Sequence, residues 1–109
     1  MQSHHELVGT QVWRTSFDHQ VRLTLVAHPR LSAELVVEVP FELCSGAGEK
    51  HEIKPGEPGT LTPVLGLFMK TVASVDVTED ESLTVKFDDG WSLAARPDGD
   101  FESWSIVEL

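Results

Sequence analysis

Five acids, Asp88, Asp89, Asp98, Asp100 and Glu102, crowd into residues 88–102 beside Trp91 and Phe101, and Trp104 follows closely. Clustered carboxylates are the raw material of a cation site. A calcium loop, however, takes ligands at alternate positions of one compact turn closed by a bidentate Glu, and this stretch lacks that spacing. Aromatic side chains among charges have instead the composition of an interface centre, with rings as anchors and acids as rim. Asp88, Asp89, Trp91, Asp98, Asp100, Glu102 and Trp104 are therefore the candidate partner-binding residues. The competing reading is structural, with Trp91 and Trp104 covering the ends of a sheet.

The remaining reactive side chains assemble nothing further. His51 and Glu52 are adjacent on an expected short strand, so they point to opposite faces and cannot share a metal or relay a proton. His4 and His5 offer two ligands where a fixed site takes three or four with outer support. Asp18 and His19 pair a carboxylate with an imidazole, but no Ser or Cys nucleophile has a context to join them, and Asp18 suits a turn equally well. Cys44 ends an apolar-faced strand with no basic neighbour in sequence to activate it, as a buried inert thiol does. No catalytic residue, metal ligand or cofactor is assigned, and the reading leans away from an enzyme.

Charge narrows the partners. The 109 residues carry a net charge of −10; residues 1–55 hold seven acids and five bases, residues 56–109 eleven acids and three bases. Binding to nucleic acid or to an anionic membrane depends on clustered Lys and Arg, so both are unexpected. The acids serve either as solubility charge or, more sharply, as a docking face for a basic protein. The longest apolar stretches fall far short of the roughly 20 residues of a membrane span. The first residues lack the basic start and apolar run of a secretion signal, and the single cysteine forms no internal disulfide, so a cytoplasmic location is expected.

These residues must be positioned by strands. Val21, Leu23, Leu25 and Ala27 alternate with polar residues, and Ala33, Leu35, Val37, Val39, Phe41 and Leu43 continue the pattern as one strand bent at Pro40. With residues 11–17 they form a first meander within 7–54. After the breaker Pro55-Gly56-Glu57-Pro58-Gly59 the period changes. Leu61, Val64, Leu65 and Phe68 fall at i, i+3, i+4 and i+7 and predict one helix over 60–70, with Pro63 in its first turn and Gly66 weakening it. A second meander over 71–109 has strands near 73–77, 83–87 and 91–95, a hairpin signal at Asp89-Gly90, and a final strand over 101–107. The expectation is an α+β domain spanning 1–109, with a mainly antiparallel sheet of about seven strands and one short helix.

A shift of 60 residues aligns Leu7, Val12, Leu23, Thr24, Ser32, Phe41, Glu42 and Ser45 with identical residues, eight matches in 49 positions. Core-facing positions such as Leu25 and Val85, or Phe17 and Val77, also fall together. This predicts a pseudo-symmetric pair of meanders, against the alternative that any two meanders with similar turns align this way.

Several motifs carry a family likeness: His51-Glu52-Ile53-Lys54-Pro55, Glu57-Pro58-Gly59, Pro63-Val64-Leu65-Gly66-Leu67-Phe68, Phe87-Asp88-Asp89-Gly90, Pro97-Asp98 and Phe101-Glu102-Ser103-Trp104. With Val39-Pro40-Phe41-Glu42-Leu43 and Leu7-Val8-Gly9, they resemble a family of small actinobacterial proteins catalogued as a domain of unknown function. The resemblance covers nearly the whole chain and implies no activity. Function is therefore unknown from sequence, with two classes open. One is a non-catalytic acidic interaction module, binding a basic protein or pairing with a second copy through exposed strand edges. The other is a small enzyme or ligand-binding protein with a pocket between the two meanders.

Overall fold

The computed structural model describes residues 4–97 and 103–109, and within them the alternating segments form nine strands. They are β1 (Gln11–Phe17), β2 (Val21–Ala27), β3 (Leu31–Val37), β4 (Phe41–Cys44), β5 (Lys50–Ile53), β6 (Val72–Val77), β7 (Leu83–Phe87), β8 (Ser92–Ala95) and β9 (Trp104–Glu108). One sheet has the order β1-β2-β3-β9 and the other β5-β4-β8-β7-β6. All pairings are antiparallel. Inward side chains of both sheets, Leu23, Leu25 and Leu35 from one and Leu43, Val85 and Leu93 from the other, join a single buried cluster.

Nine strands rather than about seven arise chiefly because the expected strand over 33–43 is two. β3 ends at Val37, Pro40 can donate no ladder hydrogen bond, and β4 resumes in the opposite sheet. Alternation runs unbroken through the crossing because both sheets face the same core, and Val37, Val39 and Phe41 are all buried. The segment around His51 is a full strand, β5. Phe101 and Glu102 lie outside the described residues, and β9 begins at Trp104.

The expected helix over 60–70 is also corrected. Only α1 (Thr62–Leu65) is helical, preceded by a 3-10 turn at Pro58–Thr60. The chain onward is held by bonds three residues apart, from Leu67 N to Val64 O (3.0 Å), Phe68 N to Leu65 O (3.3 Å) and Lys70 N to Leu67 O (3.0 Å). Three residues per turn stack positions i and i+3, so Val64 and Leu67 are buried while Leu65 and Phe68 face solvent. The i+4 periodicity fails because the helix stops after one turn at Gly66.

Each half of the chain runs a three-stranded meander and then sends a strand to the other sheet, β4 beside β8 and β9 beside β3. The halves meet where β1 and β6 touch, at the Gln11–Thr71 bridge. The backbone hydrogen bonds that join the two segments there have counterparts 60 residues away. Gly9 N donates to Val72 O and Met69 N to Val12 O, both at 2.8 Å; Val72 N donates to Thr10 O at 2.8 Å and Val12 N to Lys70 O at 2.9 Å. The ladder shifts between Val12 and Arg14 in β1 and between Val72 and Ser74 in β6, so the two bulges correspond as well. Leu7 and Leu67 both plug the core.

The correspondence then slips. Phe17 faces Val21 across a three-residue turn, whereas Val77 faces Leu83 across a five-residue turn, so Leu25 matches Phe87 and not Val85. Because the slip is two residues, the inward face is preserved.

Gly9 adopts φ 89, and its counterpart Met69 adopts φ 75. That left-handed region is open to glycine and costs other L-residues about 1–2 kcal/mol. A Cβ on Gly9 would meet nothing within 4 Å, so Gly9→Ala isolates the backbone term. We expect it to destabilise the chain by about 1 kcal/mol or more in urea unfolding, while Gly59→Ala, also in open space and without a positive φ, is near neutral. Equal costs for the two would refute the strain account.

Candidate functional site

The 88–90 turn between β7 and β8 carries Asp88 and Asp89, and three neighbours lock it. Asp88 N donates to Thr71 O (2.9 Å), and Phe87 N donates to Trp91 O (2.8 Å). Lys70 Nζ donates to Asp89 Oδ2, and Trp91 N to Asp89 Oδ1 at 3.2 Å. On the other side Gly46 approaches so closely that a Cβ there would lie 3.0 Å from Asp89 O. The turn is held against the end of the β1/β6 seam, leaving the Asp88 side chain exposed.

Trp91 is half-buried against the core cluster. Its ring stacks on His51 with centroids 6.1 Å apart and planes at 7°, and Lys70 Nζ lies 5.1 Å from its centroid. His51 Nε2 is in turn 3.0 Å from Glu49 Oε1. A chain of side chains thus runs Asp89, Lys70, Trp91, His51, Glu49 and ties the 67–70 segment to β8 and β5. His51 and Glu52 do point to opposite faces, His51 with Leu43 inward and Glu52 with Glu42 outward.

Trp104 is elsewhere. It is also half-buried, donates its indole N–H to Glu81 O (2.7 Å) and meets the His4 ring edge-on at 6.0 Å. Glu81 belongs to the turn at one end of β7 and Asp88 to the turn at the other, so the two tryptophans serve opposite ends of that five-residue strand. Asp98, Asp100 and Glu102 lie outside the described residues.

Asp18 accepts a hydrogen bond from Gln20 N (2.7 Å), a turn role, and His19 is exposed beside it. Cys44 is half-buried rather than buried, on the outer face between Ser92 and Lys50. Among the described residues the inward side chains of the two sheets pack into one core cluster. An open depression of about 510 Å³ lies on the outer face of the five-stranded sheet along Thr78, Asp80, Ser82, Thr84, Ala94 and Arg96. Asp80 there is held below the ordinary carboxylate range by hydrogen bonds from Thr78 and Ser82. Among the described residues no group of His, Cys, Asp or Glu is arranged to hold a metal, and no helix is long and apolar enough to cross a membrane.

Sequence reasoning missed a set of exposed apolar side chains. Trp13, Leu65, Phe68 and Met69 are each more than half exposed. Met69 N is bonded to Val12 O, the Trp13 indole donates to Gln11 Oε1 (3.1 Å), and Gln11 Nε2 donates to Met69 O (3.0 Å). Met69 adjoins Lys70 in the chain, and Lys70 and Thr71 hold the 88–90 turn. Trp13 is the unpaired residue of the β1 bulge, following inward Val12, and no sequence pattern marks a bulge.

The hydrogen bond from Lys70 holds the Asp89 carboxyl below its ordinary range. A lowered native value means that the stability Asp89 adds is complete above the unfolded value and is lost as pH falls through the native one. Asp89→Asn should therefore lower stability near neutrality by less than about 1 kcal/mol, because the pair is partly exposed, and flatten the loss of Tm below about pH 5. Identical acid limbs for the two chains in thermal melts would remove the pair from the stability account.

No match is found among curated proteins or among solved structures. The family model for a family of unknown function, DUF6188, matches residues 3–108, so the chain that builds this seam and this turn belongs to the DUF6188 family.

Proposed function

We propose that the chain is a non-catalytic interaction module, working in the cytoplasm, that captures a basic protein with the end of the fold carrying Asp88, Asp89 and Trp91. The observation behind this reading is the locked 88–90 turn. Lys70, Thr71, Trp91 and the close approach of Gly46 fix its backbone, so little conformational entropy is lost when the exposed Asp88 carboxylate meets a cation. The net charge of −10 adds long-range attraction for a basic partner and repulsion toward acidic ones. It also disfavours the competing partner, a second copy, although the free edge of β9 with Val107 exposed leaves strand pairing open to it.

The test is affinity capture from the source cell on the parent chain and on Asp88→Lys side by side, followed by association kinetics of the retained protein. A basic protein held by the parent and lost by the variant is expected. Its association rate should fall about tenfold or more as salt shortens the screening length. Equal capture by both chains, or association indifferent to salt, refutes the reading.

A further inference from the structure

The two halves of the seam provide an internal comparison. Their backbones correspond hydrogen bond for hydrogen bond, yet their surface side chains differ at every equivalent exposed position. One spot carries Leu65, Phe68 and Met69 from the second half with Trp13 from the first. Its counterpart carries His5, Val8 and Gly9 with Ala73. The same backbone thus forms with small or polar side chains, so folding does not require the large apolar ones. Met69 makes the point most strongly. It keeps a left-handed φ of 75 where the counterpart is glycine, and its side chain is 54% exposed, so the strain is not offset by burial. Trp, Phe, Met and Leu held in water against an exposed acid are the composition of an interface core and rim.

We infer that Trp13, Leu65, Phe68 and Met69 are the apolar anchors of a docking site for a polypeptide segment of aliphatic and aromatic residues flanked by Lys or Arg. The apolar part of this inference stands on the comparison of the two spots; the basic flank rests on the proposed function. Charge selects the occupant. Asp89 is neutralised by Lys70, but Asp88, whose backbone N–H is bonded to Thr71 two residues from Met69, is exposed, and a second copy would set another chain of charge −10 against it, unscreened within about 8 Å. A basic flank meets the same group with attraction.

The experiment uses short synthetic peptides as probes, read by fluorescence anisotropy: a Leu/Phe core with Lys flanks, the same core with Glu flanks, and a Ser/Gly core with Lys flanks. The first should bind the parent chain about tenfold or more tighter than either of the others. Trp13→Ala and Phe68→Ala should each weaken it about tenfold, while Val8→Ala and His5→Ala at the counterpart spot leave it unchanged. Met69→Gly should weaken it while keeping Tm at or above the parent's, which separates lost contact from lost folding. If the Lys-flanked Ser/Gly peptide binds as well as the apolar one, the anchors are refuted and the charge reading stands. If the Glu-flanked apolar peptide binds as well, the basic flank is refuted along with the charge reading, and the anchors stand. No binding of any peptide up to about 1 mM overturns the inference, as does self-association of the parent that Trp13→Ala abolishes in sedimentation.

Discussion

The short antiparallel pairing of residues 9–12 with 69–72 is the constraint on which the rest of the molecule depends. Without it the fold is two separate sheets sharing a core on one side only. With it, β1 and β6 become neighbours and the backbone groups at their starts are satisfied. Tight turns must then bring the chain into each strand, and both use the same device: bonds spaced three residues apart, one leucine turned into the core, and one residue at positive φ. The bulges follow from the same need. Extra twist just past the seam lets each strand leave its neighbour and follow its own sheet.

The seam also decides where chemistry can be displayed. Lys70 and Thr71 are part of it, and they anchor the 88–90 turn; Met69 and Trp13 are its last exposed residues on the same side. A site built there stands on hydrogen-bonded backbone rather than on a free loop. Rigidity of this kind favours recognition of a preformed surface, since the ordering cost of the site is met during folding.

Much of the strand content was legible, and the reasons for the failures are local. Alternation located β2, β7 and β8 because each has one wet face, and richness in β-formers located β1. It could not reveal that the run over 33–43 changes sheets, because inward residues remain inward when both sheets face one core. Residues 61–68 satisfied a helical pattern by coincidence of Leu65 and Phe68 with the i+4 and i+7 positions, and only the observed three-residue spacing distinguishes the pair Val64 and Leu67. The shift of 60 was real in its consequences near Leu7/Leu67 and Val12/Val72. The identities at Leu23/Leu83 and Thr24/Thr84 lie two residues out of register, because the turn before β7 is longer. Of the candidate site, Asp88, Asp89 and Trp91 are neighbours through the hairpin that Asp89-Gly90 signalled. Trp13 could not be added, since it reaches the same end across 58 or more residues of chain through a pairing that leaves no local mark.

Adjacent residues at this end do different work, and partner availability separates them. Asp89 is engaged by Lys70 and by the Trp91 amide, so its charge is largely spent inside the molecule. Asp88 contributes its backbone N–H to the seam and leaves its carboxylate in water. Trp91 has one face against His51 and the Lys70 ammonium near its ring, and it shields the end of the core. Trp13 has its indole N–H satisfied by Gln11 and over half its surface in solvent. A half-buried aromatic that steadies a turn and an exposed one on the strand across the seam are the two components an interface anchor needs, support beneath and contact above. The sequence places them 78 positions apart, and only the pairing of β1 with β6 brings the exposed ring to the end of the fold that the half-buried one supports.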